Sequence, residues 1–493
     1  MLKEDVEPSL IDALIPLFTL IILLALSVHL FGEDSSYGAN QIALLLCACL
    51  TAVIGMKNGS AWDDMQEGMV HGIGLAFNAI LILLTVGSLI GSWIIGGVVP
   101  AMIYYGLQVF SPDSFYVASC FICALVGISI GSSWTVAGTL GIGLIGVAGG
   151  LGLSPVITAG AIISGAYFGD KLSPLSDTTN LAAAVTGNEL FAHIRHMLWT
   201  TIPSLLIAMV IYFALGSGGS ELQPNSNGVQ QVLVAIDSQF TIGWYLLIPL
   251  AVLLFMAYLR VPAFPTLIVG ALVGCLFAVL FQAPAAKSLA NAADMSQGLQ
   301  ILKGLWISLF DGYQADTESE VVNKLLSKGG MSSMLHTIWL IISAMAFGGV
   351  MEKTGSLQKI VTVTLSKVQS TAALIATTVF TCFGMNAAAG DQYMAIILPG
   401  RMLREKFERQ GLQTLNLSRT IEDSGTLTSV LVPWNTCGAF MTATLGISTW
   451  VYAPYAVFNY ICPLLAIAYG IGNIKLPRAV VTESKPAQSV AAD

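Results

Sequence analysis

Gly165-Ala166-Tyr167-Phe168-Gly169-Asp170-Lys171-Leu172-Ser173-Pro174-Leu175-Ser176-Asp177-Thr178-Thr179-Asn180-Leu181-Ala182-Ala183-Ala184 sets two carboxylates, an amide and a cluster of hydroxyls inside an otherwise apolar run. A related patch returns as Glu422-Asp423-Ser424-Gly425-Thr426-Leu427-Thr428-Ser429 and Pro433-Trp434-Asn435-Thr436. Ionisable groups at membrane depth are costly, and sequences keep them there chiefly along ion or substrate pathways. The stretch reads as part of a transporter.

Working outward, the whole chain has the composition of a bilayer protein. Hydrophobic residues make up 55% of the 493 and charged residues 10%, with a mean hydropathy of +0.78, whereas soluble domains carry about 25% charged residues. Apolar stretches near the ~20 residues that cross a bilayer recur from 10–30 to 452–472 and give about 11–13 segments, several short or broken. The fold class predicted is an all-α polytopic membrane protein. The first apolar run lacks a small-residue cleavage site and reads as a retained helix. Lys and Arg gather in short loops, at Lys57, Arg195, Arg260 and from Arg401 to Arg419, which puts those loops and the N-terminus in the cytoplasm. The net charge of −8 therefore says little about partners, and nothing points to nucleic acid. The eight cysteines lie mostly in apolar runs, and Cys120 with Cys123 lacks the second pair that a metal site needs.

The two patches belong to halves that echo each other. Gly131-Ser132-Ser133-Trp134 interrupts one apolar run and Asp170 follows 39 positions on (131 to 170); Gly384-Met385-Asn386 interrupts another and Asp423 follows at the same distance (384 to 423). This is what two inverted repeats with broken helices or re-entrant hairpins leave in a sequence. The predicted division is an N-terminal transmembrane repeat over 1–216, an external loop over 217–239, a C-terminal repeat over 240–475 with a polar insertion at 282–330, and a disordered tail over 476–493. The insertion reads as an amphipathic surface segment.

Carbonyls freed at helix breaks, with hydroxyl and amide oxygens, suit a small hard cation such as Na⁺. Half-helix N-termini would favour an anionic group instead, so composition leaves both open. The candidate substrate- and ion-binding residues are Asp170, Asp177, Asp391 and Asp423, with Ser132, Ser133, Ser173, Thr178, Asn180, Asn386, Thr426, Asn435 and Thr436 around them. Na⁺ is placed at Asp177, Asn180, Asp423 and Asn435. The competing role for each aspartate is a helix cap, and for each asparagine a helix–helix hydrogen bond. Lys171 reads as a marker of the cytoplasmic boundary, Glu422 with Arg419 as a structural ion pair, and His193 and His196 as interfacial packing.

Gly131-Ser132-Ser133-Trp134-Thr135, the run 160–180, Phe191-Ala192-His193-Ile194-Arg195-His196-Met197, Gly390-Asp391-Gln392-Tyr393, Leu398-Pro399-Gly400-Arg401-Met402, the run 417–426 and Pro433-Trp434-Asn435-Thr436-Cys437-Gly438-Ala439 together resemble the NhaC-type sodium/proton antiporters. The resemblance spans essentially the whole chain apart from the tail. It implies a secondary antiporter of the bacterial inner membrane, with no enzymatic chemistry and no cofactor, Na⁺ and H⁺ as cargo, the lipid bilayer as partner, and a homodimer left open. The same family holds malate/lactate antiporters and members associated with amino acids. A Na⁺- or H⁺-coupled carrier of a small organic anion or amino acid is therefore the alternative. The expected mechanism is alternating access with Na⁺ and H⁺ competing for buried carboxylates, because a bare carboxylate in low dielectric is costly and either cation relieves it.

Overall fold

The computed structural model describes residues 7–217, 226–317, 320–366 and 368–478. Secondary structure among them is helical apart from two isolated bridges, Tyr313 with Lys328 and Leu412 with Arg478. Nine described helices are long and apolar enough to cross a bilayer, or up to eleven if each of two bent pairs is one span. The all-α polytopic fold is thus the one expected, and its span count reaches the expected 11–13 when each bent pair is one span.

Local sequence sets where these helices begin and what they face. Helix Leu10–Phe31 starts where the Ser9 hydroxyl accepts the Asp12 N–H at 3.1 Å. Its Ile11, Phe18, Ile21 and Ile22 are each more than half exposed, a face that water penalises and hydrocarbon does not. Helix Pro155–Leu172 opens on a Ser154 cap with proline in its first turn and stops before Ser173-Pro174. It packs on helix Phe115–Ile130 through Gly165 and Gly169: a methyl group on Gly165 would overlap the Cys120 carbonyl, and one on Gly169 the Ala124 carbonyl and Gly127. Small residues four apart let two helix backbones approach this closely in lipid.

Two apolar stretches of the second half are broken, as broken helices were expected, but the first break falls at Gly390 and not at Gly384-Met385-Asn386, which lies inside a helix. Helix Thr371–Ala389 ends at Gly390 (φ +70°), and Asp391 begins helix Gln392–Arg409. The run after Thr414 breaks between Ser429 and Asn435, and helix Thr436–Leu445 ends at Gly446 (φ +73°). The first half is built the same way: Gly131 (φ +72°) ends helix Phe115–Ile130, helix Pro155–Leu172 stops at Ser173, Ser176 caps helix Asp177–Thr186, and Gly187 (φ +71°) closes it. The left-handed glycines stand 56 residues apart in both halves (131 to 187, 390 to 446), so the repeats register at a shift of 259 (131 to 390). The expected pairing of Gly131 with Gly384 and Asp170 with Asp423 is out of register by six residues, because it matched residue types and not backbone roles.

The stretch expected as an external loop holds helix Ser226–Gln239, whose 229–239 portion bends 90° onto Trp244–Tyr258. The polar insertion forms helices Ala283–Ala290, Gln297–Phe310 and Glu320–Leu326. It is not only a surface segment: its end turns into the bundle, where the Gly330 N–H donates to the Gly87 carbonyl at 2.7 Å. Of the expected tail, Leu476 is buried and the Pro477 carbonyl accepts from Gln413 and Asn416; residues 479–493 lie outside the described residues.

Candidate functional site

The helix breaks of both repeats meet at one cavity of about 240 Å³. Ser132, Ser133, Asp170 and Asp177 come to it from the first repeat, Asp391 and Thr436 from the second. At the shift of 259, Ser132 matches Asp391 and Asp177 matches Thr436, so equivalent positions of the two halves face each other. Trp134 stacks on Phe440 with ring centroids 4.1 Å apart and ties the halves together beside the cavity.

Three carboxylates share this space, and among the described residues no Lys, Arg or His lines it. Asp170 accepts from the Ser133 N–H at 3.0 Å and the Ser133 hydroxyl at 2.7 Å. Asp391 accepts from the N–H groups of Tyr393 at 2.8 Å and Met394 at 3.2 Å, with the Thr436 hydroxyl 3.4 Å away. Both therefore cap helix starts, which is the competing role weighed for them, and they do so on the cavity wall. Asp177, the first residue of its helix, is exposed to the cavity, and its carboxylate accepts no hydrogen bond from a described residue.

Seven of the thirteen candidates line the cavity: Asp170, Asp177, Asp391, Ser132, Ser133, Thr178 and Thr436. The others lie elsewhere. Asn180 donates to the Pro174 and Ser176 carbonyls, and the Ser173 hydroxyl accepts the Leu175 N–H. Asn386 donates to the Gly425 carbonyl and the Thr428 hydroxyl, and Asn435 donates back to Asn386. Thr426 is fully buried in the π-helical turn Glu422–Thr426. Of the four residues expected to hold Na⁺, only Asp177 faces the cavity.

Asp423 belongs to a second buried cluster. Its carboxylate pairs with Lys171, both side chains fully buried, and accepts from the Thr200 hydroxyl at 3.1 Å. Lys171 is thus no boundary marker; it joins the first repeat to the second. Glu422 accepts from the Thr178 hydroxyl at 3.0 Å and forms no ion pair with Arg419, which donates to the Lys475 carbonyl. His193 and His196 are buried, with His193 Nδ1 2.9 Å from the Ser418 hydroxyl.

The sequence model of the Na⁺/H⁺ antiporter family matches residues 165–474, which include half of the residues that line the cavity, Asp170, Asp177 and Asp391 among them. The chain belongs to the Na⁺/H⁺ antiporter family. Similar proteins include the Na⁺/H⁺ antiporter NhaC of Alkalihalophilus pseudofirmus, 36% identical over 87% of this chain and 89% of that protein. The malate-2H⁺/Na⁺-lactate antiporter of Bacillus subtilis is also 36% identical, over 87% of this chain and 88% of its own. The arginine/ornithine antiporter ArcD of Halobacterium salinarum is 34% identical over 95% of this chain and 93% of its own. Sequence reading missed the roles of Lys171 and Glu422 because their partners, Asp423 and Thr178, lie 252 and 244 residues away along the chain.

Proposed function

We propose that the chain exchanges Na⁺ for H⁺ across the bacterial inner membrane, with both cations taken by the central cavity. The observation that carries the reading is three carboxylates around one small space with no basic side chain among the described residues that line it. Like charges this close in low dielectric cannot all stay bare. Asp170 and Asp391 spend their charge on backbone N–H groups at helix starts, a strong and fixed use. Asp177 is left as the exchangeable ligand, with the hydroxyls of Ser132, Thr178 and Thr436 as the hard oxygen donors that Na⁺ prefers. A proton or a Na⁺ neutralises it, not both at once, and exchange follows from that exclusion. The empty site crosses poorly because its bare charge is costly to carry through low dielectric, and rocking of one repeat against the other exposes the loaded site to alternate sides.

The alternative, a coupled carrier of a small organic anion or amino acid, draws on the names of two relatives. In the central cavity the helix starts that would hold an anion are already met by Asp170 and Asp391, which favours the cation. The test is a proteoliposome loaded with a pH-sensitive dye. Na⁺ outside is expected to drive proton movement in the wild type and not in Asp177→Asn. Undiminished exchange in that variant would remove Asp177 from the mechanism.

A further inference from the structure

A second cavity, of about 410 Å³, lies at the far end of helix Thr436–Leu445. Thr436 at the N-terminus of that helix lines the central cavity and Gly446 just past its C-terminus lines the second, so the two are about 15 Å apart along it. Ile90, Ile142 and Ile145 lie on its apolar side; Asp311, Lys328 and Thr444 are among its polar groups, with Gln314, Ser327, Ser332 and Ser333.

Lys328 is placed there by a constrained turn. Its carbonyl accepts the Tyr313 N–H at 3.1 Å, and the Gly330 N–H two residues on is held by Gly87. Gly329 and Gly330 take φ of +91° and +85°, and a Cβ on either would overlap neighbouring main chain, at Gly91 for the first and at Asp311 and Gly312 for the second. The Lys328 ammonium lies 3.8 Å from where a Cβ on Gly446 would be. A cation at a helix C-terminus is favourable by itself. That role leaves the buried Thr444 hydroxyl unexplained, and the exposed carboxylate of Asp311 lines the same space. Neither Lys328 nor Asp311 forms an ion pair with a described residue, although both line one space; Asp311 accepts only from the Ser332 hydroxyl, at 3.3 Å. Thr444, 5% exposed, has a hydroxyl with no hydrogen-bond partner among the described residues, a costly arrangement unless something else fills it.

We infer that this cavity binds a small zwitterion of the α-amino-acid class, its carboxylate on Lys328 and the Thr444 hydroxyl, its ammonium on Asp311. The volume lies within the range of small-molecule sites. The inference goes beyond the cation site and does not depend on it.

The test uses the purified full chain, with L-serine and L-arginine as zwitterionic probes and L-lactate as a carboxylate lacking the ammonium. An amino acid is expected to raise the melting temperature more than lactate does. Lys328→Gln is expected to weaken amino-acid binding by roughly tenfold or more, and Asp311→Asn to remove the preference over lactate. Na⁺-driven proton movement in Lys328→Gln proteoliposomes should match the wild type. If Lys328→Gln does not fold, Thr444→Val carries the test through the same loss of affinity. The inference is overturned if neither amino acid binds, if lactate binds as well as they do, or if the folded variants bind like the wild type. Failure of Na⁺-driven proton movement in the wild type would count against the cation reading alone.

Discussion

Asp177 stands out among the three cavity carboxylates by having no structural employment. Asp391 holds two backbone N–H groups, so Asp391→Ala should cost about 1 kcal/mol as a lost N-cap and lower the melting temperature. Asp177→Asn should leave that temperature near the wild-type value while stopping exchange, because no hydrogen bond of the fold is lost; a large drop would show that Asp177 has a structural role. Lys171 and Asp423 invite the opposite experiment. Lys171→Met strands a buried carboxylate, at a cost of about 3–5 kcal/mol, and replacing both partners (Lys171→Met with Asp423→Leu) should recover much of the loss in a denaturation series. At this scale the sequence exposes Asp170, Asp177 and Asp391, since each is an ionisable group among glycine, hydroxyl and apolar neighbours. It conceals the Lys171–Asp423 pair, whose members are 252 residues apart, and only the folded chain shows that Asn435 donates to Asn386.

The breaks between helices are what bring those carboxylates together, and two glycines make them. Gly131 and Gly390 take left-handed φ, which a side chain disfavours by about 1 kcal/mol. Alanine at 131 would also put its Cβ 2.7 Å from the Cβ of Leu175 and 2.8 Å from its carbonyl carbon, whereas at 390 the nearest atom is the Ala344 Cβ at 3.3 Å. Gly131→Ala should therefore lower the melting temperature more than Gly390→Ala. Equal effects would mean that backbone strain alone matters. Helix limits such as Ala263–Phe281 are legible from hydropathy and flanking residues. The place of the break at Gly390 is not, because Gly384-Met385-Asn386 in the same run offers small and polar residues as well and yet stays inside helix Thr371–Ala389. The repeat register is likewise hidden, since the same backbone task falls to Ser132 in one half and Asp391 in the other, and to Ser176 in one and Asn435 in the other.

Taken whole, the molecule places one carboxylate-rich cavity between two repeats of a membrane-spanning bundle. Ala79 lies on that cavity's wall. Alternating access predicts that Ala79→Cys reacts with an impermeant thiol reagent from one side, at a rate that Na⁺ alters; a rate blind to Na⁺ would argue for a static site. Family membership fixes antiport as the class of activity, while the pairing of cargoes rests on competition at Asp177. The most direct measurement is the Na⁺ affinity of the purified protein as a function of pH. As pH rises fewer protons contend for the carboxylate, so the apparent Kd should fall about tenfold per pH unit while the site holds a proton and level off once it is empty. Asp177→Asn should lose this dependence. A wild-type Kd that stays constant across that range, with exchange intact, would contradict the account.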